Sequence, residues 1–394
     1  MNVSKIINLK IFVKISLSIM LIALPFDNAV FHLGTLILWI GAFLVSRQPA
    51  GPNFGATIAA QKNVHWAFLS IVVIMVVSNL VNGQGSEAWR TLATFIVRYW
   101  LFFALLSYLY MRRIVDMEFL LAVATVGLLV QFVPFIGQMI NGQIFVGQEF
   151  AGRFQGFTSN PNVLGLYAGL GMMVSLHLIV SRESGKKLVL LTAVALGLMA
   201  TIALLASGNR GGWVAVIVAL IFYAASQIRQ RPKLLITSFA TVGFLSVGVL
   251  TQMAGPKARL AALIDGYSAH RIDVWLNSWT LFKQQPILGY GLDTRQALLE
   301  NHFIYSEHNI ILNVMLAMGL VGLLAYGALM FSICWPALKN RNIIGLSLMG
   351  FLMAVGMFGF DFYRSQHFMI CFAVLAVVCL QHGRPSAALD REEK

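Results

Sequence analysis

The sequence predicts an all-α polytopic membrane protein of about 12 transmembrane helices, with one larger outer loop region of amphipathic helices. Three observations predict it. Of the 394 residues, 58% are hydrophobic and only 11% are charged, with a mean hydropathy of +0.78. A soluble domain carries about 25% charged residues, so the polar surface here is too small to cover a water-soluble globule. The apolar residues also fall in long blocks, many near the ~20 residues a helix needs to cross a bilayer. Finally, the basic residues alternate in density from one loop to the next, as they do between the two sides of a membrane.

The blocks lie near 11–25, 30–46, 64–82, 93–110, 118–140, 162–180, 187–206, 212–227, 234–252, 309–334, 343–360 and 367–381. The first follows Lys5, Lys10 and Lys14, and no convincing small-x-small cleavage site follows it, so it reads as a retained membrane helix. With the N-terminus inside, the inner loops hold Arg47 and Lys62, Arg112 and Arg113, Arg182, Lys186 and Lys187, Arg229, Arg231 and Lys233, then Lys339 and Arg341. The tail adds Arg384, Arg391 and Lys394, whereas the short outer loops hold only Arg90, Arg153, Arg210 and Arg364. Both termini are therefore expected on the cytoplasmic side. The net charge of +13 is absorbed by this topology signal, and no nucleic-acid partner is expected. Cys334, Cys371 and Cys379 sit inside apolar segments and form no disulfide framework.

One integral membrane domain is expected, in three stretches: helices over 1–252, an outer loop region over 253–308, and helices and a polar tail over 309–394. The loop region carries mixed charge and, over 270–283, helical spacing that places Ile272, Trp275, Leu276, Trp279 and Phe282 on one side. That side is expected to pack on the outer face of the bundle. Pro286, Gly289 and Gly291 then break the helix.

Most unusual polar groups gather at the outer face, in five places. Arg153, Gly156, Asn160, Pro161 and Asn162 make a structured turn into a helix, with Asn160 or Ser159 as its cap, or a plain loop. Ser207 to Trp213 forms a tight glycine-rich turn. Its Arg210 either meets an anionic oxygen or snorkels to the interface. His270 and Arg271 open the amphipathic helix, as solvated charges or as ligands. His308, beside Asn309, stands at a helix end where an imidazole can serve as a base near neutral pH or simply satisfy the interface. Arg98 lies inside a span, where a charge is costly and usually faces a cavity or partner. Arg364 and Asp361 sit in the last outer loop and could form a simple ion pair. With no Asp-x-Asp pair to hold a divalent cation, guanidinium groups would have to neutralise phosphate. The pattern suggests metal-independent handling of a phosphate-bearing lipid, with no cofactor.

His308-Asn309, nine residues, then Gly319-Leu-Val-Gly322 resembles the His-[Asn/Ser/Gln]-x9-Gly-x-x-[Gly/Thr/Tyr] signature of the O-antigen ligases at every fixed position. The Arg153 to Asn162 turn, the Ser207-x-x-Arg210-Gly211 turn and the run Arg271, Trp275, Pro286, Gly289, Gly291 are similar to segments of the same superfamily, which includes O-antigen and exopolysaccharide polymerases. The resemblance implies a GT-C-type glycosyltransferase of the bacterial inner membrane with a periplasmic active site. Its donor would be an undecaprenyl-pyrophosphate-linked polysaccharide and its acceptor a sugar hydroxyl of lipid A-core. It also implies that Arg210 and Arg271 bind the pyrophosphate and that His308 is the base of an inverting transfer. Arg98 is a further phosphate candidate, and Arg153, Asn160, Asn309 and Arg364 are candidate donor or acceptor contacts. A polymerase using the same donor, a ligase acting on a protein hydroxyl, and a transporter or lipid flippase are the rival readings. A transporter would place its polar groups near the bilayer midplane, whereas here they gather at one face.

Overall fold

The computed structural model describes residues 3–23, 28–48, 51–141, 154–155, 160–181, 187–227, 271–294, 298–299 and 307–381. Among these, every regular element is a helix. In chain order they are α1 (Val3–Ala23), α2 (Asn28–Ser46), α3 (Phe54–Ala60), α4 (Lys62–Val81), α5 (Ser86–Phe95), a π-helical turn (Ile96–Leu101), α6 (Phe102–Met111) and α7 (Met117–Asn141). They continue as α8 (Pro161–Ser181), α9 (Lys187–Ala206), α10 (Arg210–Gln227), α11 (Arg271–Gln284), α12 (Ile310–Lys339), α13 (Ile343–Gly356) and α14 (Gln366–Gln381). The predicted spans fall on these helices, except the one near 234–252, which lies outside the described residues. Helices are what such a composition must form, because lipid offers no partner to an unpaired N–H or C=O. Among the described residues, Lys62–Val81, Ser86–Met111, Pro161–Val180, Val189–Ala206 and Ile310–Lys339 are long and apolar enough to cross a membrane. Three boundaries move by five residues or more, the first span beginning at Val3. The fourth span begins at Ser86, so Arg90 lies on a helix rather than in a loop, and the tenth runs on to Lys339.

The chain forms two compact units. One comprises Met1–Phe54 and Tyr108–Tyr267, the other Gly55–Ser107 and Ser268–Lys394. In the first, α1 pairs with α2 and α8 pairs with α9. The Ser175 hydroxyl of α8 donates to the Ala193 carbonyl of α9 at 2.6 Å. That approach requires Gly197, where a Cβ would run into the Ser175 side chain. Small residues at a helix crossing let backbones come close enough for dispersion and hydrogen bonding to hold them, since lipid supplies no hydrophobic drive between helices.

The second unit is built on α4, the π-turn, α12 and α14 around an aromatic core of Phe68, Phe95, Tyr99, Phe103, Phe362 and Phe372. Its defining feature is a break in α12 at Gly319, whose φ of 65° and ψ of −160° are open to glycine alone. The break frees backbone groups, and residues 286–291 satisfy them. The amides of Leu320 and Val321 donate to the carbonyls of Pro286 and Ile287 at 2.8 and 3.3 Å. The amides of Tyr290 and Gly291 donate to the carbonyls of Leu316 and Ala317 at 2.7 and 3.0 Å. The end of α4 grips the same segment. Ser78 shares its hydroxyl proton between the Leu288 and Ala317 carbonyls, and Asn82 and Gln84 donate to the carbonyls of Gly289 and Tyr290. A Cβ on Gly289 or Gly319 would collide with the facing backbone. The glycines of the two family-like motifs thus meet each other across this break.

Candidate functional site

The polar groups singled out in the sequence collect in each unit separately. In the first, the Asn160 side chain accepts from the Asn162 amide at 2.8 Å and caps α8, with Pro161 as the first helical residue. Asn160 thereby has a structural task. Arg210 is the first residue of α10, behind a turn that Gly208 makes at a φ of 60°. Asn209 organises this turn. Its side-chain oxygen accepts from the Gly212 amide at 3.1 Å and its Nδ2 donates to the Asn162 carbonyl at 3.1 Å. A Cβ on Gly165 would collide with that Asn209 side chain. The first two constellations are therefore adjacent, and the Phe154 amide, donating to the Ala206 carbonyl at 3.2 Å, brings the preceding segment to the same place. Arg153, Gly156 and Ser159 lie outside the described residues, as does His270.

In the second unit the centre is the start of α12. Asn309 is its cap, with Oδ1 accepting from the Ile311 and Leu312 amides at 3.0 and 3.2 Å. His308, immediately before it, holds a φ of 45°, left-handed backbone that few non-glycine residues adopt. The His308 ring reaches the surface, yet the atoms crowded around it strip water from one side. Its pKa is lowered first by that desolvation and then by the Arg271 charge, against an opposing pull from the Asp361 carboxylate. Its neutral form is therefore favoured, with a cation and an anion near it.

Behind His308 lies a set of buried carboxylates. Glu307 is 1% exposed, and neither carboxylate oxygen makes a protein hydrogen bond of good geometry. Burial, then the nearby Asp361, push its pKa up to about 7, against the pull of Arg364 and the Thr294 hydroxyl. Asp361 is raised by burial too, with His308 and Arg364 opposing. Arg364 holds the group together. Burial works against its charge, but Tyr363, Asp361, Glu307 and Asp293 outweigh that and raise its pKa. Its Nη2 donates to the Leu292 carbonyl at 2.7 Å and to Asp293 Oδ1 at 3.2 Å. The ion pair expected with Asp361 is thus made with Asp293 instead, because the turn at Gly291 brings residues 292–293 against the last loop.

Asn313, one turn along α12 from the cap, fixes that loop. Its Oδ1 accepts from the Phe362 amide at 3.0 Å and its Nδ2 donates to the Tyr363 hydroxyl at 3.3 Å. A buried asparagine in an apolar span was the available sequence signal for this contact. Arg98 lies on the π-turn. Its neighbour Tyr99 donates to the Phe362 carbonyl at 2.6 Å, and Arg98 is close enough to His367 for their charges to interact. Inserted π-turns of this kind often mark functional positions. From α11, the Trp275 indole donates to the Glu307 carbonyl at 3.1 Å, locking the helix that Arg271 opens to the segment that carries His308. Arg271, His308, Asp361 and Arg364 are brought together in this unit, with Arg98 held to the same loop.

Among the described residues, no three His, Cys, Asp or Glu side chains are arranged to hold a metal ion. None of the curated proteins is similar enough to match the chain. Residues 191–327 match the family model described as O-antigen ligase. That stretch takes in Arg210, Arg271, His308, Asn309, Gly319 and Gly322, while Arg98, Arg153, Asn160, Asp361 and Arg364 fall outside it. Through this segment, which carries both glycine motifs and the histidine, the chain is similar to the O-antigen ligase family.

Proposed function

We propose that this protein moves a glycan from undecaprenyl pyrophosphate to a sugar hydroxyl of lipid A-core at the periplasmic face, without a metal and with inversion. The observation that carries the reading is the placement of His308 between the Arg271 and Asp361 charges, with its pKa held below the ordinary imidazole value. A base must be unprotonated before it acts and must tolerate the proton afterwards. Burial and Arg271 supply the first condition, and the Asp361 charge supplies the second. The acceptor hydroxyl gives its proton to His308, its oxygen attacks the anomeric carbon, and the bond to the pyrophosphate oxygen breaks. Arg271 opens α11, so a phosphate there would meet a guanidinium at the positive end of the helix dipole. Fixed positive charge at the leaving group lowers the barrier as negative charge grows on it. The family resemblance gives Arg210 the same task, and Arg98, a charge inside a span, is a further phosphate candidate.

The test is a reconstituted transfer with purified lipid-linked donor and lipid A-core, chelator present, comparing wild type with His308→Ala. Glycan is expected on lipid A-core with wild type. The variant should lose roughly 10²–10⁴-fold in rate while still binding donor. Glycan lengthening on the undecaprenyl carrier would instead mark a polymerase. Loss of product with chelator alone would overturn the metal-free mechanism.

A further inference from the structure

The helix α11 has two apolar faces, and only one is covered by protein. Leu281 and Phe282 pack against Met315 and Leu316 of α12. On the other side Ile272, Leu276 and Trp279 are 55%, 59% and 46% exposed. They follow one another at i, i+4 and i+7, a single stripe that Lys283 closes in the last turn and that Ile287, also exposed, continues past it. The sequence pattern had placed Trp275 and Phe282 with them. Instead these two turn inward, Trp275 onto Glu307 and Phe282 into the core, and leave the stripe open.

The depth of that stripe can be read from α12. Its side chains are buried from Asn313 to Gly319, and the exposed face begins at Leu320 and recurs at Leu324, Phe331, Trp335 and Leu338. From Leu320 to Lys339 the helix runs about 30 Å at ~1.5 Å per residue, the thickness of a bilayer's hydrocarbon core. Trp335 and Lys339 then stand where interfacial anchors belong at one boundary, and Gly319 marks the other. The end of α11 is tied to that second boundary, because Pro286 and Ile287 accept from the Leu320 and Val321 amides. The stripe is thus continuous, through Ile287, with the lipid-facing residues Leu320 and Leu324.

We propose that α11 lies in the interfacial layer of the membrane on the His308 side. Ile272, Leu276, Trp279 and Ile287 sit among the upper acyl chains, and Lys283 reaches the lipid phosphates. An amphipathic helix with aromatic and aliphatic residues on one face and a flanking Lys suits that layer. Its consequence is that Arg271, next to Ile272, is held at the depth where a lipid's phosphate groups lie. The inference rests on the membrane reading and needs no particular transfer reaction.

The full chain, reconstituted in vesicles of phosphatidylethanolamine and phosphatidylglycerol, would be spin-labelled at Leu276→Cys, Trp279→Cys and Arg90→Cys with the three native cysteines replaced by alanine. Collisions with oxygen should exceed those with a water-soluble nickel chelate at 276 and 279, and the order should reverse at 90. Nickel collisions prevailing at 276 and 279 would put the stripe in water and overturn the proposal. Low collisions with both would mean a protein surface, such as a second copy, covers it, and would overturn it equally. A second measurement needs only Trp279→Phe. The emission lost in that variant should be quenched by lipids brominated high on the acyl chain, and absence of such quenching contradicts the proposal even if the labelled proteins do not fold.

Discussion

The residues around His308 are set by competing electrostatic effects. Desolvation and Arg271 lower its pKa, while Asp361 holds it up. Replacing Asp361 with Asn removes the upward pull, so His308 titrates lower still. The acidic limb of the kcat/KM profile should then move to lower pH, and the rate at the plateau should fall because the imidazolium loses its counter-charge. Arg271→Gln should shift the limb the other way and weaken donor binding. Profiles between about pH 5 and 8 check both, and unmoved limbs would separate these charges from the base. Asn309 also has a structural part. Its side-chain oxygen is occupied by two backbone amides, so it positions His308 by capping the helix behind it. Arg364 likewise spends its hydrogen bonds on Leu292 and Asp293 and acts on Glu307 and Asp361 by charge.

At the scale of elements, the glycines of the family signature are explained by the break in α12. Gly319 allows the helix to bend open, Gly289 lets the segment after α11 enter the gap, and both would collide with backbone if they carried a Cβ. Gly319→Ala should therefore cost at least about 2 kcal/mol, from a forbidden φ/ψ region plus a displaced segment. Gly327, farther along the same helix, meets nothing within 4 Å, and Gly327→Ala should be neutral or stabilising by up to about 1 kcal/mol. Thermal unfolding in detergent compares the two. Equal melting temperatures would show that the break is dispensable. Because Trp275 also joins α11 to the Glu307 carbonyl, loosening at Gly319 should lower transfer activity without changing any reacting group.

For the whole molecule, the Lys and Arg distribution predicts that this chemistry faces the periplasm. Arg90→Cys in intact cells should react with a membrane-impermeant maleimide supplied from the periplasm, and Arg341→Cys should react only after the inner membrane is opened. The reverse pattern would invert the topology and move the proposed transfer to the cytoplasmic face, where lipid A-core is not matured by this reading. Arg90 suits the purpose because its side chain is 78% exposed and pairs only loosely with Glu87 at 3.3 Å, an ion pair worth little in water.

The sequence by itself determined the class and the helices, and it singled out the motifs. Hydropathy, loop charge and spacing are local quantities, and a bilayer enforces them by refusing unpaired backbone. It also marked Arg271, His308 and Arg98, because a polar group in or beside an apolar span stands out. It could not say that Trp275 turns inward while Trp279 remains exposed, since both lie within one helical stripe. Nor could it pair Arg364 with Asp293, or bring Glu307 near that guanidinium, because those contacts join segments far apart in the chain. Most of all, it could not show that the glycines after α11 close the gap opened by Gly319. A freed backbone amide can be satisfied from anywhere in the fold, and only the tertiary structure decides which carbonyl reaches it.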